Sequence, residues 1–296
     1  MLTPQEIETF YRDGYVVARG LFSEAEVAFY RAHFMSLREG QQHPGDFAGV
    51  PIEKIVGNSA KTGDLLYDDK PDPLKQYPRM IHMHRWDDVS LQWLISQRIN
   101  EDLTALLKGI EPFAVQTMLY FKPPGARGQA LHQDQYYLKV QPGTCMAAWL
   151  ALDDCDEANG CLQAVPGSQN WDILCTVKAD TTQSFTDVTV PLPEGEHAVP
   201  VIMKAGDVMF FNGQLVHGSF ANTTTDRFRR SLIGHYIVGD AQKVAEFYHP
   251  VLRMDGSEVE LDISVGGGSC GVWVDRNGEQ VLEMQAKVGP AGPEHE

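Results

Sequence analysis

The chain has 296 residues, 43% hydrophobic and 22% charged, which is material for one large packed domain rather than a disordered segment. Forty acidic residues against 24 Lys and Arg leave a net charge of −16. That balance argues against a nucleic-acid groove or an anionic membrane surface, since both need clustered positive charge, but it leaves room for a small anion held by one buried Arg.

The opening Thr3-Pro4-Gln5-Glu6 combines a cap, a proline at the first helical position and a capping-box Glu, so a helix is predicted from Pro4, stopped by Gly14. No apolar leader segment stands at the N-terminus, and no signal peptide is expected. Tyr15 to Val17 suits a short strand. Ser23 to Glu26 is a second capping box, followed by Val27, Tyr30, Phe34 and Leu37 on one helical stripe. Residues 41–78 are irregular and rich in Gly, Pro and Asp, the composition of a functional lid. Leu91, Leu94, Ile95, Ile99 and Leu103 predict one helix over Asp88–Leu107.

After Glu111 the period shortens to two. Strands are predicted at Phe113–Phe121, Thr144–Leu152, Gly160–Val165, Ala198–Met203, Asp207–Phe211 and Ser231–Val238, separated by Gly- and Pro-containing turns. Hairpins follow at Asp255-Gly256 and Asn277-Gly278. The longest apolar run, Cys145 to Leu152, is 8 residues, too short to cross a membrane. Helices first and strands afterwards indicate an α+β, mainly β protein with an antiparallel barrel or jelly roll. Residues 1–289 are read as a single domain: a helical part with the lid (1–110), a core (111–240) and C-terminal hairpins (241–289), with 290–296 as a tail. Cys145, Cys155, Cys161, Cys175 and Cys270 form an odd set without a Cys-x-x-Cys pair, so free buried thiols in a reducing, cytoplasmic setting are expected rather than disulfides or a zinc knuckle.

His132-Gln133-Asp134 carries the chemistry. On an extended chain the imidazole and carboxylate share a face, one ligand short of a two-histidine, one-carboxylate facial triad. His217, after another β-type run, supplies the second imidazole from a neighbouring strand. Arg229, with the Ser231 hydroxyl on the same face two residues later, is shaped to hold a carboxylate bidentately. Taken singly, each of these residues is more often a surface group; in this order and in β context they suit an iron(II)/2-oxoglutarate oxygenase.

The segments Thr117–Gly125, Leu131–Asp134, Ala148–Asp154, Asn159–Leu162, Val165–Ser168, Ala205–Asp207, Val216-His217 and Arg227–Ser231 closely resemble the phytanoyl-CoA dioxygenase family, and Phe10 to Val17 resembles its N-terminus. The resemblance implies a double-stranded β-helix, the cupin-like jelly roll, and an enzyme using Fe(II), 2-oxoglutarate and O2. It implies iron binding by His132, Asp134 and His217, pairing of Arg229 and Ser231 with the keto acid, and a cosubstrate pocket lined by Gln116, Met118 and Trp149. A carboxylate at 134 favours hydroxylation, or desaturation or cyclisation by the same oxidant, over halogenation, where relatives carry a small residue. Two departures are Gln169, where many relatives have His, and the lack of a counterpart for a Lys near Met80 to Arg85. Tyr136, Tyr137, His82, His84, Arg85 and Trp86 are candidate contacts for a small-molecule substrate. A cupin-like protein that binds a metal or small molecule without turnover is the alternative from another class.

Overall fold

The computed structural model describes residues 1–39, 73–264, 270–276 and 279–284. The lid assigned to 41–78 falls mostly outside these residues, as do the tail and the turn at Asn277-Gly278. Helix α1 (Pro4–Asp13) forms with the complete Thr3–Glu6 capping box and ends at Gly14, whose φ of 83° needs glycine. Strand β1 (Tyr15–Ala18) and helix α2 (Glu24–Glu39), capped by Ser23 and Glu26, follow as expected. Beyond a single turn, α3 (Pro73–Gln76), and the short strand β2 (Met80–Ile81), the helix predicted over 88–107 is two: α4 (Asp88–Leu94) and α5 (Gln97–Leu106). Ile95 ends the first and Ser96, with extended backbone, starts the second, so the apolar stripe continues across a break in the axis.

The core is a pair of facing antiparallel sheets. The larger runs β1, β10 (Val208–Asn212), β5 (Cys145–Ala151), β12 (Ser231–Ile237) and β3 (Phe113–Tyr120), then β13 (Val251–Leu252) and β14 (Glu258–Val259). The smaller runs β4 (Gln129–His132), β11 (His217–Ser219), β6 (Leu162–Ala164) and β9 (Val199–Val201). Short strands β7 (Val177–Lys178) and β8 (Val188–Thr189) form a separate pair. This is a jelly roll, the fold class expected.

Strand β5 shows why its sequence is apolar throughout. Ala147, Trp149 and Ala151 face the space between the sheets with Leu162, Met209, Phe211 and Ile233, while Ala148 and Leu150 face Trp93, Leu94, Ile99 and Leu103 of the helices. Both faces of the strand are buried, so the alternation of an exposed sheet is lost.

One cysteine expectation is corrected. Cys175 and Cys270 form a disulfide, brought together where Ile173 bridges Gly271, while Cys145, Cys155 and Cys161 are free and buried. Positions this far apart in the chain carry no local signal of pairing.

Candidate active site

Strand register brings the two imidazoles together. His217 on β11 lies directly opposite His132 on β4, and their rings approach to 4.3 Å between centroids. Gly218 allows this approach, because a Cβ there would stand 2.7 Å from the Gln129 carbonyl oxygen on β4. Asp134 is placed differently from the expectation that it shares a strand face with His132. The strand ends at His132; Asp134 has helical backbone (φ −63°, ψ −33°) and caps the short helix α6 (Gln135–Leu138). That turn, rather than strand alternation, swings the carboxylate under the imidazoles.

Donor atoms of His132, Asp134 and His217 all lie within 4.8 Å of one another. Asp134 Oδ1 is 3.4 Å from His132 Nε2, and its Oδ2 is 3.8 Å from His217 Nε2. Nδ1 of His132 donates to the Ala130 carbonyl at 2.9 Å and Nδ1 of His217 to the Leu215 carbonyl at 3.0 Å. Each ring thus fixes its own tautomer and turns the Nε2 lone pair inward. Burial opposes ionisation of Asp134, yet the imidazoles of His217, His132 and His235 hold its carboxyl well below the usual range. Burial, then the adjacent His132, pushes His217 down to about 4, so it is neutral near pH 7. Gln129 Nε2 stands 3.2 Å from His132 Nε2, and the two inward lone pairs with the buried carboxylate form a set that fits a divalent cation with mixed nitrogen and oxygen preference such as Fe(II).

Arg229, two residues before β12, is 3% exposed. Its Nε donates to the Gly160 carbonyl and its Nη1 to Ser231 Oγ, both at 2.9 Å, and its guanidinium lies 5.2 Å from the Trp149 ring centroid. Trp149 and Met118 belong to the interior packing, with Gln116 buried on the same face of β3. A small cavity is bounded by Tyr120, Lys122, Gln129, Trp149, Ser219 and Arg229. A buried, oriented guanidinium with a hydroxyl beside it fits a carboxylate guest.

Tyr137 lies with its ring 6.2 Å from His132, and Tyr136 packs edge-on against it at 4.9 Å. His82 and His84 are buried. Desolvation, then Arg85, lowers both, His84 to about 3. His84 Nδ1 is 3.0 Å from Thr117 Oγ1, while its Nε2 and both nitrogens of His82 have no hydrogen-bond partner among the described residues. Arg85 stands apart at the surface, where its Nη2 donates to the Phe247 and His249 carbonyls.

Two neighbours of the site escaped the sequence reading. His235 Nε2 donates to Asp134 Oδ2 at 3.2 Å. It follows Ser231 and Ile233 on the inward face of β12, so period-two counting from Ser231 reaches it. Lys122, 2% exposed, donates to Ser219 Oγ at 2.8 Å. Its only mark in the sequence is its place between a strand and Pro123-Pro124.

Comparison with known proteins agrees with this geometry. A family model described as phytanoyl-CoA dioxygenase (PhyH) matches residues 10–231. Phytanoyl-CoA dioxygenase 1 of Oryza sativa subsp. japonica is 29% identical over 237 residues, covering 75% of this chain and 84% of that protein. Phytanoyl-CoA dioxygenase of Arabidopsis thaliana is 27% identical over 270 residues, covering 83% and 92%. Among solved structures, the non-heme alpha ketoglutarate dependent carbocyclase SnoK from nogalamycin biosynthesis superposes with a TM-score of 0.61 at 20% identity, covering 81% of this chain and 86% of its own. EctD from S. alaskensis with bound Fe gives 0.61 at 21% identity, covering 90% and 88%. The matched span takes in the smaller sheet, the triad and the buried arginine: the chain belongs to the phytanoyl-CoA dioxygenase family and is an oxygenase.

Proposed function

We propose that the protein hydroxylates an unactivated C–H bond of a small or medium-sized metabolite or natural-product intermediate, consuming 2-oxoglutarate and O2 and releasing succinate and CO2. The observation that carries this reading is the convergence of His132, Asp134 and His217 within 4.8 Å, in the same barrel as the buried Arg229–Ser231 pair. Bound Fe(II) with the keto acid supplies the oxidant.

The residues of the chain do the rest. His132, Asp134 and His217 hold the ion by one face and leave the other for ligands. Arg229 clamps the distal carboxylate of 2-oxoglutarate, and Ser231 keeps the guanidinium plane from turning. Gln116, Met118 and Trp149 wall the cosubstrate and keep water out. Tyr136, Tyr137, His82 and His84 shape the substrate side; neutral imidazoles with open nitrogens favour hydroxyl or carbonyl groups over acids. Arg85 is a rim residue in this reading. The chain works as one oxygenase domain over residues 1–289 with a small-molecule partner. It works in the cytoplasm, where the Cys175–Cys270 bond is an exception to the usual thiol state. No helix among the described residues is long and apolar enough to cross a membrane.

Purified protein with Fe(II), ascorbate and 2-oxoglutarate should form succinate in a substrate-dependent way across a metabolite panel. Under isotopically labelled dioxygen the product should gain one labelled oxygen atom. A product short of two hydrogens with no added oxygen would replace hydroxylation by desaturation. Tight 2-oxoglutarate binding without turnover of any substrate would favour the non-catalytic binder.

A further inference from the structure

Lys122 has no structural reason to be a cation. It follows β3 with a left-handed φ of 38° and lies fully inside the protein. Among the described residues, the titratable groups that act on it are Arg229, Cys161 and Cys155. Tyr120 and Arg127 share the wall of its cavity. Burial pushes the Cys155 thiol up to about 12 and the Cys161 thiol to about 11, so neither provides a negative charge. Asp153, the acid nearest in influence to Arg229, is already engaged by Arg230 in two contacts of 2.8 Å. Gly160, at φ 86°, is packed against the lysine stem: a Cβ there would stand 2.6 Å from Lys122 Cε. The site is thus built around this side chain.

Among the described residues, two buried basic groups, Lys122 and Arg229, therefore meet in this pocket with no acid between them. Keeping both charged would carry the cost of burying each ion and of their mutual repulsion. An arginine does not yield its proton, whereas a buried lysine does so readily. Burial, reinforced by Arg229, holds Lys122 well below the ordinary lysine range.

We propose that Lys122 waits as a neutral amine and becomes an ammonium when the distal carboxylate of 2-oxoglutarate enters beside it and Arg229, so that cosubstrate binding takes up one proton. This rests on the reading above that the pocket holds 2-oxoglutarate. The Nζ lone pair binds a proton released by solvent or buffer, and the keto acid enters as its dianion. The second cation appears only when there is an anion to face it, which stores the pocket at low cost and selects for the distal carboxylate. Linkage then makes 2-oxoglutarate affinity fall by roughly tenfold per pH unit above the free-state titration of Lys122.

The test is calorimetry of protein loaded anaerobically with Fe(II), titrated with 2-oxoglutarate in phosphate and in Tris, whose ionisation enthalpies differ. The wild type should take up close to one proton per 2-oxoglutarate bound. Lys122→Met should take up none. Titrating the wild type with 2-oxopentanoate, which has a methyl group in place of the distal carboxylate, should also show no uptake, and this comparison stands even if the variant does not fold. Normal 2-oxoglutarate binding with no difference between buffers, or equal uptake for the two acids, overturns the proposal and leaves the proposed activity intact. Absence of 2-oxoglutarate binding altogether overturns the proposed activity and this inference with it.

Discussion

Asp134 receives a hydrogen bond from His235 at 3.2 Å, and that contact decides which carboxylate oxygen is left for a metal. With Oδ2 engaged by an N–H, Oδ1 stays available toward His132. Partners of this kind are worth ten- to a hundredfold in metal affinity. His235→Phe should therefore weaken Fe(II) binding by about that factor, measured by anaerobic equilibrium titration, while the melting temperature of the metal-free protein stays near its original value. Arg229→Met removes a charge-assisted clamp. It should weaken 2-oxoglutarate by roughly 1.5–3 kcal/mol, about ten- to a hundredfold, without changing Fe(II) affinity.

At the scale of the element, the β4–β11 pair sets the distance between the two imidazoles. Gly218→Ala would push a Cβ onto the Gln129 carbonyl, and backbone on both sides has little room to give. The expected cost is about 1–3 kcal/mol in denaturant stability, together with weaker metal binding, because the strands separate at the register that aligns His132 with His217. Local signals in the sequence reach this scale well. Capping boxes at Thr3 and Ser23, the apolar face of the helices and the period-two runs all act between neighbours, and the corresponding elements form at those positions. Three features are set by contacts between distant segments and were not legible. Asp134 leaves the strand for a helical turn, Ser96 breaks the helix at a point where the apolar stripe runs on, and Cys175 finds Cys270 across the fold. The triad itself was legible as residue types in order, because a facial metal site needs two imidazoles and one carboxylate. His235 shows only through its period-two place after Ser231, and Lys122 not at all, since it reads as an ordinary surface charge.

The whole molecule folds around histidines that it keeps neutral. His84 falls from 6.5 to about 3, lowered first by burial and then by Arg85. Between those values the unfolded chain binds the proton and the folded one does not, so stability rises with pH through this window and is lost as pH falls. The effect is at most roughly 5 kcal/mol for His84, and His82 adds in the same direction. Thermal melts of the metal-free protein should drop steeply on acidification from about pH 6.5, and His84→Phe should flatten that slope. A ligand that binds the folded state and not the unfolded one raises the melting temperature, so added Fe(II) should do so here. The proposed oxygenation depends on one ion held by three side chains with a keto acid beside it. Its most direct test is anaerobic addition of Fe(II) and then 2-oxoglutarate, following iron stoichiometry and the visible charge-transfer band. One iron per chain and a band that appears only with the keto acid are expected, both lost in Asp134→Ala and His217→Ala. An undiminished band in either variant, or none in the wild type, would contradict it.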